Sequence, residues 1–99
     1  MLVINEGMLR AYAARRPKAA EALRRWAELT KQANWKNLAQ TRQTFPHADQ
    51  VCECTVFNIK GDHYRLITKI NYGLQVVTLV HVLTHKEYDS DKWKKDCGC

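Results

Sequence analysis

Residues His63–Leu83, HYRLITKINYGLQVVTLVHVL, read as two β-strands around a turn at Gly73. Successive side chains of a strand point to opposite sides. On the first strand Tyr64, Leu66, Thr68, Ile70 and Tyr72 therefore share one face, and His63, Arg65, Ile67, Lys69 and Asn71 the other. The first set suits a core and the second is basic. On the second strand Val76, Thr78, Val80 and Val82 alternate with Val77, Leu79, His81 and Leu83. It is apolar on both faces, as expected of a strand inside a sheet. Upstream, VCECTVFNI (residues 51–59) followed by Gly61-Asp62 supplies one more strand, and three strands joined by tight turns predict an antiparallel meander.

The N-terminal half follows a different period. Met1–Ile4 is a short apolar run ended by Asn5, which suits a first strand handing over to a helix capped at Asn5. Leu9, Tyr12 and Ala13 fall on one helical stripe up to Arg16, and Pro17 opens a second helix where its missing N–H does no harm. In that helix Ala19, Leu23, Trp26, Ala27 and Thr30 face inward, with Lys18, Glu21, Arg24, Arg25 and Glu28 on the wet side. Trp35 and Leu38 extend the pattern into a short additional helix, stopped by Phe45-Pro46 and followed by a loop from His47 to Gln50. The expectation is an α+β fold in the order β-α-α-β-β-β. It is a small antiparallel sheet with two N-terminal helices packed on it and a short polar tail, forming a single domain over residues 1–99.

Sixteen Lys and Arg against ten Asp and Glu give a net charge of +6, which favours a polyanionic partner such as nucleic acid, or an acidic protein. The longest apolar stretch, Val76–Leu83, is far shorter than the roughly 20 residues a membrane helix needs. Residues 1–16 contain no continuous apolar core of an export signal, so a cytoplasmic location and no membrane partner are expected. Four cysteines stand as Cys52-Glu53-Cys54 and Cys97-Gly98-Cys99. Two reduced pairs are the simplest expectation for that compartment, and the tail is expected to be frayed and without function. A zinc site completed by Cys97, Cys99 or a histidine is the lesser alternative, because Cys-x-Cys is tighter than the usual zinc knuckle.

Chemistry gathers where the last strand ends. In His81–Asp89, HVLTHKEYD, Tyr88 lies three residues beyond His85, so a turn or nascent helix brings both to one edge, with Arg65 of the neighbouring strand within reach. An imidazole, a permanent cation and a phenol can together move a proton and stabilise a charged phosphorane. Each also fits a plain structural role: a surface histidine, an exposed ion pair, or a tyrosine that covers the core with its ring.

Phe45-Pro46-His47-Ala48-Asp49, Val56-Phe57-Asn58-Ile59-Lys60-Gly61, Tyr64-Arg65-Leu66-Ile67 and Thr84-His85-Lys86-Glu87-Tyr88-Asp89 occur in that order. Over most of its length the chain thereby resembles the HigB family of toxins from type II toxin–antitoxin systems, within the RelE-like superfamily. The resemblance implies a small antiparallel sheet with two N-terminal helices across it. It also implies metal-independent cleavage of messenger RNA, commonly on the ribosome, with no cofactor, and neutralisation by a HigA-like helix-turn-helix antitoxin. In such a reaction the ribose 2′-OH attacks the adjacent phosphorus and the 5′-oxygen leaves. Arg65 is expected to contact the scissile phosphate, His85 to transfer protons, and Tyr88 to orient the nucleotide or share the acid–base work. Asn58, Lys60, His63 and Lys69 are candidate RNA ligands, with His81 and Lys86 as helpers. Many RelE-like enzymes carry lysines on the strand where this chain has Val56 and Asn58, which shifts weight from a lysine base to His85. The alternative is a non-catalytic basic module that binds RNA or an acidic protein.

Overall fold

A computed structural model describes residues Met1–Cys99. In chain order the elements are β1 (Leu2–Ile4), α1 (Gly7–Arg15), a 3₁₀ turn (Pro17–Ala19), α2 (Ala20–Gln32), α3 (Leu38–Thr44), β2 (Asp49–Val51), β3 (Cys54–Ile59), β4 (Tyr64–Asn71), β5 (Val76–Thr84), α4 (His85–Asp89) and a C-terminal 3₁₀ helix (Lys92–Cys97). The strands form one sheet in the order β1-β5-β4-β3-β2. The meander β3-β4-β5 is antiparallel as the alternation requires, but β1 pairs parallel with β5, so the sheet is mixed. β5 is thus an interior strand, which explains its apolar residues on both faces.

One face of the sheet carries the main core. Leu66 of β4, Phe57 and Ile59 of β3, and Val77 and Leu79 of β5 meet Leu9 and Tyr12 of α1 and Leu23, Trp26 and Ala27 of α2. Trp26, Trp35, Phe45 and Phe57 interlock there, with ring centroids 5.3 to 6.4 Å apart. The inward residues of α2 follow from the 3.6-residue period. Asn5 does not cap α1: Glu6 holds the cap position without a side-chain bond. Asn5 instead adopts φ 69° and donates from Nδ2 to the carbonyl of Leu79, tying the β1 exit to β5.

Three further expectations are corrected. The stretch VCECTVFNI is not one strand: β2 runs from the preceding loop into its first residue, Val51, turns at Cys52-Glu53 (Cys52 φ 51°) and pairs antiparallel with β3 in the register Val51 to Cys54. β5 does not alternate evenly either. Ile67 pairs with His81 but Thr68 with Leu79, so Val80 is a bulge that puts Val82 on the same face as Leu79 and Val77. Finally, the four cysteines are not reduced and the tail is not frayed. Cys52 is bonded to Cys99 and Cys54 to Cys97, and the C-terminal 3₁₀ helix lies on the second face of the sheet. There Trp93 and Cys97 close a smaller core with Cys54, Val56 and Ile67, so the face read as basic is apolar at its centre.

Candidate functional site

The second face leaves its rim open at the β3–β4 turn and the end of β5. Asn58 pairs with Arg65 across β3 and β4, and Arg65 pairs with Leu83 across β4 and β5, so the alternation sets Asn58 and Arg65 side by side on this face. Thr84 then ends the strand and opens α4 with a capping box. The Thr84 hydroxyl accepts from the Glu87 N–H at 3.2 Å, and the Glu87 carboxylate accepts from the Thr84 N–H at 2.9 Å. The bond from the Thr84 N–H holds the Glu87 carboxyl below the usual carboxylate range against the opposing effect of burial, and the Thr84 hydroxyl and then Arg16 and Arg15 at the end of α1 add to it.

The cap decides where the next residues go. The His85 N–H donates to the carbonyl of His63 at 3.1 Å, which ties α4 to the β3–β4 turn. The His85 side chain is exposed, its Nε2 lying 3.2 Å from Asp89 Oδ2 one helical turn on. Tyr88 is half-buried, and the Arg65 guanidinium carbon stands over its ring, 5.1 Å from the centroid. Arg65 is anchored from below, Nη1 donating to the carbonyls of Asp62 at 2.7 Å and Tyr64 at 3.3 Å. Arg65 and Tyr88 are therefore in contact, and His85 shares the five-residue helix with Tyr88.

The secondary candidates divide. Asn58 and His63 belong to this rim, and Lys60 lies in the same turn at φ 53°. His81 and Lys86 instead line a cavity of about 490 Å³ behind α4, together with Lys92, Trp93, Lys95 and Asp96 of the C-terminal segment. Lys69 lies further along β4, opposite Thr78, toward that segment. His81 Nε2 is 2.8 Å from Asp96 Oδ2, and this hydrogen bond lowers the Asp96 carboxyl from its ordinary value.

The residue that reasoning from sequence missed is Trp93. Its ring is stacked on Tyr88 at 5.0 Å and 15°, and its indole N–H donates to the Tyr88 carbonyl at 2.9 Å. The Tyr88 phenol is thus in contact with both the Arg65 guanidinium and the Trp93 indole. A signal existed in the two Cys-x-Cys pairs, whose equal spacing lets each cysteine of one pair bond one of the other and so sets the tail beside β3.

A family model described as HigB_toxin, the RelE-like toxic component of a toxin-antitoxin system, matches residues 19–91. No curated protein matches the chain. Lys92–Cys99 lie beyond the matched residues. No helix is long and apolar enough to cross a membrane.

Proposed function

Because the chain belongs to the HigB family, the RelE-like toxic components of toxin–antitoxin systems, we propose that it is an endoribonuclease that cuts messenger RNA on the ribosome without a metal. Family membership implies an antitoxin partner, which we take to be a HigA-like helix-turn-helix protein. The observation that carries the nuclease reading is the contact of the Arg65 guanidinium with the Tyr88 ring beside exposed His85. An RNA strand laid across this rim would offer its scissile phosphate to Arg65, whose free donors stabilise the oxygens of the pentacoordinate phosphorus. His85 stands beside the Asp89 carboxylate, and an imidazolium at this position can protonate the departing 5′-oxygen. Tyr88 borders both groups; its phenol orients the ribose or shares proton transfer from the 2′-OH. Attack of that oxygen on phosphorus, with loss of the 5′-oxygen, leaves a 2′,3′-cyclic phosphate and a 5′-hydroxyl. Asn58, Lys60 and His63 would hold the strand on one side of the cut, and His81 and Lys86 on the other.

The test is cleavage of a message on translating ribosomes by the wild-type chain and by Arg65→Ala, His85→Ala and Tyr88→Phe, with folding checked by circular dichroism. Loss of a positioned acid–base or phosphate-binding group should lower the rate about 100-fold or more. Cleavage within twofold of wild type in all three would sink this site. One observation favours a second reading. Arg65 Nη1 is spent on two backbone carbonyls, as in a module that only binds RNA. In that case the message stays intact and no cyclic phosphate forms.

A further inference from the structure

The C-terminal segment is held by covalent bonds on one side and touches the candidate site on the other. Cys52-Glu53-Cys54 and Cys97-Gly98-Cys99 run alongside each other: Cys52 joins Cys99, Cys54 joins Cys97, and the Glu53 N–H donates to the Cys97 carbonyl at 2.8 Å. Between this double staple and α4, Trp93 is 3% exposed and lies flat on Tyr88. Lys92, Trp93, Lys95 and Asp96 form one wall of the cavity whose other wall holds His81 and Lys86. Of these residues only Lys92–Cys99 lie beyond those that the family model matches; their partners Cys52, Cys54, His81, Lys86 and Tyr88 lie within them. The nuclease chemistry assigned above needs none of Lys92–Cys99 as reactants, so their contact with Tyr88 calls for its own explanation.

We propose that the segment from Lys92 to Cys99 is a redox-governed part of the site, in which Trp93 is a positioning residue for Tyr88 and, through it, Arg65. With both disulfides closed, the stacked indole fixes the plane of the phenol that the guanidinium also touches, and the wall of the cavity stands. The two bonds differ in access. Cys52 and Cys99 are exposed, whereas Cys54 and Cys97 are 0% exposed. A dithiol reductant therefore meets the outer bond first. Its thiolate attacks one sulfur, forming a mixed disulfide and releasing the other cysteine as a thiolate that takes a proton. Its second thiol then displaces the first cysteine and closes the reductant's own disulfide. Two electrons and two protons pass to the protein at each bond. Opening the outer bond releases Gly98 and Cys99 from Cys52, which uncovers the inner bond for the same exchange. With both open, only noncovalent contacts of one short 3₁₀ helix hold Trp93 to the sheet, and the helix frays. Tyr88 then loses its stacking partner. Disulfides in reducing compartments are commonly transient and regulatory, and translation, the activity proposed as the target, takes place in one.

This inference rests on the nuclease reading, and the experiment separates the two. Oxidised chain, chain reduced with dithiothreitol, and oxidised Trp93→Ala and Trp93→Phe are compared for message cleavage, with kcat and KM resolved. The same four are compared for affinity toward a 2′-O-methyl RNA oligonucleotide, which cannot be cut. Hydrogen exchange is read over residues 85–99 and over α2. The expected result is at least a tenfold loss of kcat on reduction, matched by Trp93→Ala with its disulfides intact and rescued by Trp93→Phe, which keeps a stacking ring. Exchange should rise over 85–99 while α2 stays protected. Equal kcat in the oxidised and reduced chains, or a wild-type kcat in Trp93→Ala, overturns the proposal, the second even where reduction unfolds the chain. Absence of cleavage in every form would sink the nuclease reading alone. The tail would then be judged by oligonucleotide affinity, where a tenfold loss on reduction and in Trp93→Ala supports it and unchanged affinity overturns it.

Discussion

Gly98 shows how narrow the constraint on a single residue is. It stands between the two tail cysteines at φ 74°, a left-handed conformation that costs an L-residue with a Cβ about 1–2 kcal/mol. A Cβ there would also come within 2.7 Å of the Glu53 carboxylate carbon, but that carboxylate ends a flexible side chain and can swing aside. Backbone strain therefore decides the outcome. Gly98→Ala is expected to lower the stability of the oxidised chain by about 1–2 kcal/mol, and Gly98→Asn by less, since asparagine tolerates this region better. Urea unfolding of the two variants without reductant checks this, and an unchanged Gly98→Ala midpoint would count against it. Such a position was not legible beforehand, because a glycine near a chain end reads as flexible until its neighbours are known to be tethered. Arg65, His85 and Tyr88 were nameable because their chemistry is carried by residue type. The same reasoning passed over Trp93, whose contribution is a stacking plane supplied from an unforeseen direction.

Among the elements, α4 is the one on which the site turns. It has five residues, too few to persist on propensity alone, and its capping box and the His85–His63 backbone bond hold it in place. The Glu87 half of that box makes its stability depend on pH in a definite sense. The folded chain holds the Glu87 carboxyl below its ordinary value of 4.5. Its contribution is therefore fully present above that value and is lost as pH falls through the lower folded one. Glu87→Gln keeps an acceptor for the Thr84 N–H but no titrating charge. The stability gap between wild type and Glu87→Gln should narrow as pH is lowered from 6 to 3 in denaturant unfolding; a gap independent of pH would contradict the assignment. β4 was readable from its period of two, which survives any arrangement of neighbours, and the strands on either side of it from the turns that bound them. The bulge at Val80 was not, because β5 is apolar on both faces and its sequence looks the same in either register. The parallel pairing of β1 was equally hidden, since three residues carry no mark of direction.

For the molecule as a whole, the net charge of +6 indicated an anionic partner but said nothing of how the chain is closed. The disulfides close it, and because they are nested their contributions are unequal in a testable way. The Cys52–Cys99 bond joins residues 47 apart and the Cys54–Cys97 bond residues 43 apart. Either bond alone removes the entropy of closing a loop of that size from the unfolded chain, about 4 kcal/mol in the chain-entropy model. Once one is in place the other closes only the small ring between the two Cys-x-Cys segments, adding roughly 2 kcal/mol or less. Removing one bond, as Cys52→Ser with Cys99→Ser or as Cys54→Ala with Cys97→Ala, should therefore cost roughly 2 kcal/mol or less of loop entropy. Removing both should cost up to about 6 kcal/mol, clearly more than the two single losses added together. Alanine is the replacement at the inner pair because Cys54 and Cys97 are fully buried and a serine hydroxyl there would need a partner. Guanidinium unfolding of the four forms, with free thiols titrated to verify each bond, measures the excess. Strictly additive losses would mean that the two bonds constrain separate parts of the unfolded chain, which their nesting forbids, and would point to strain or local packing as the origin of their effect.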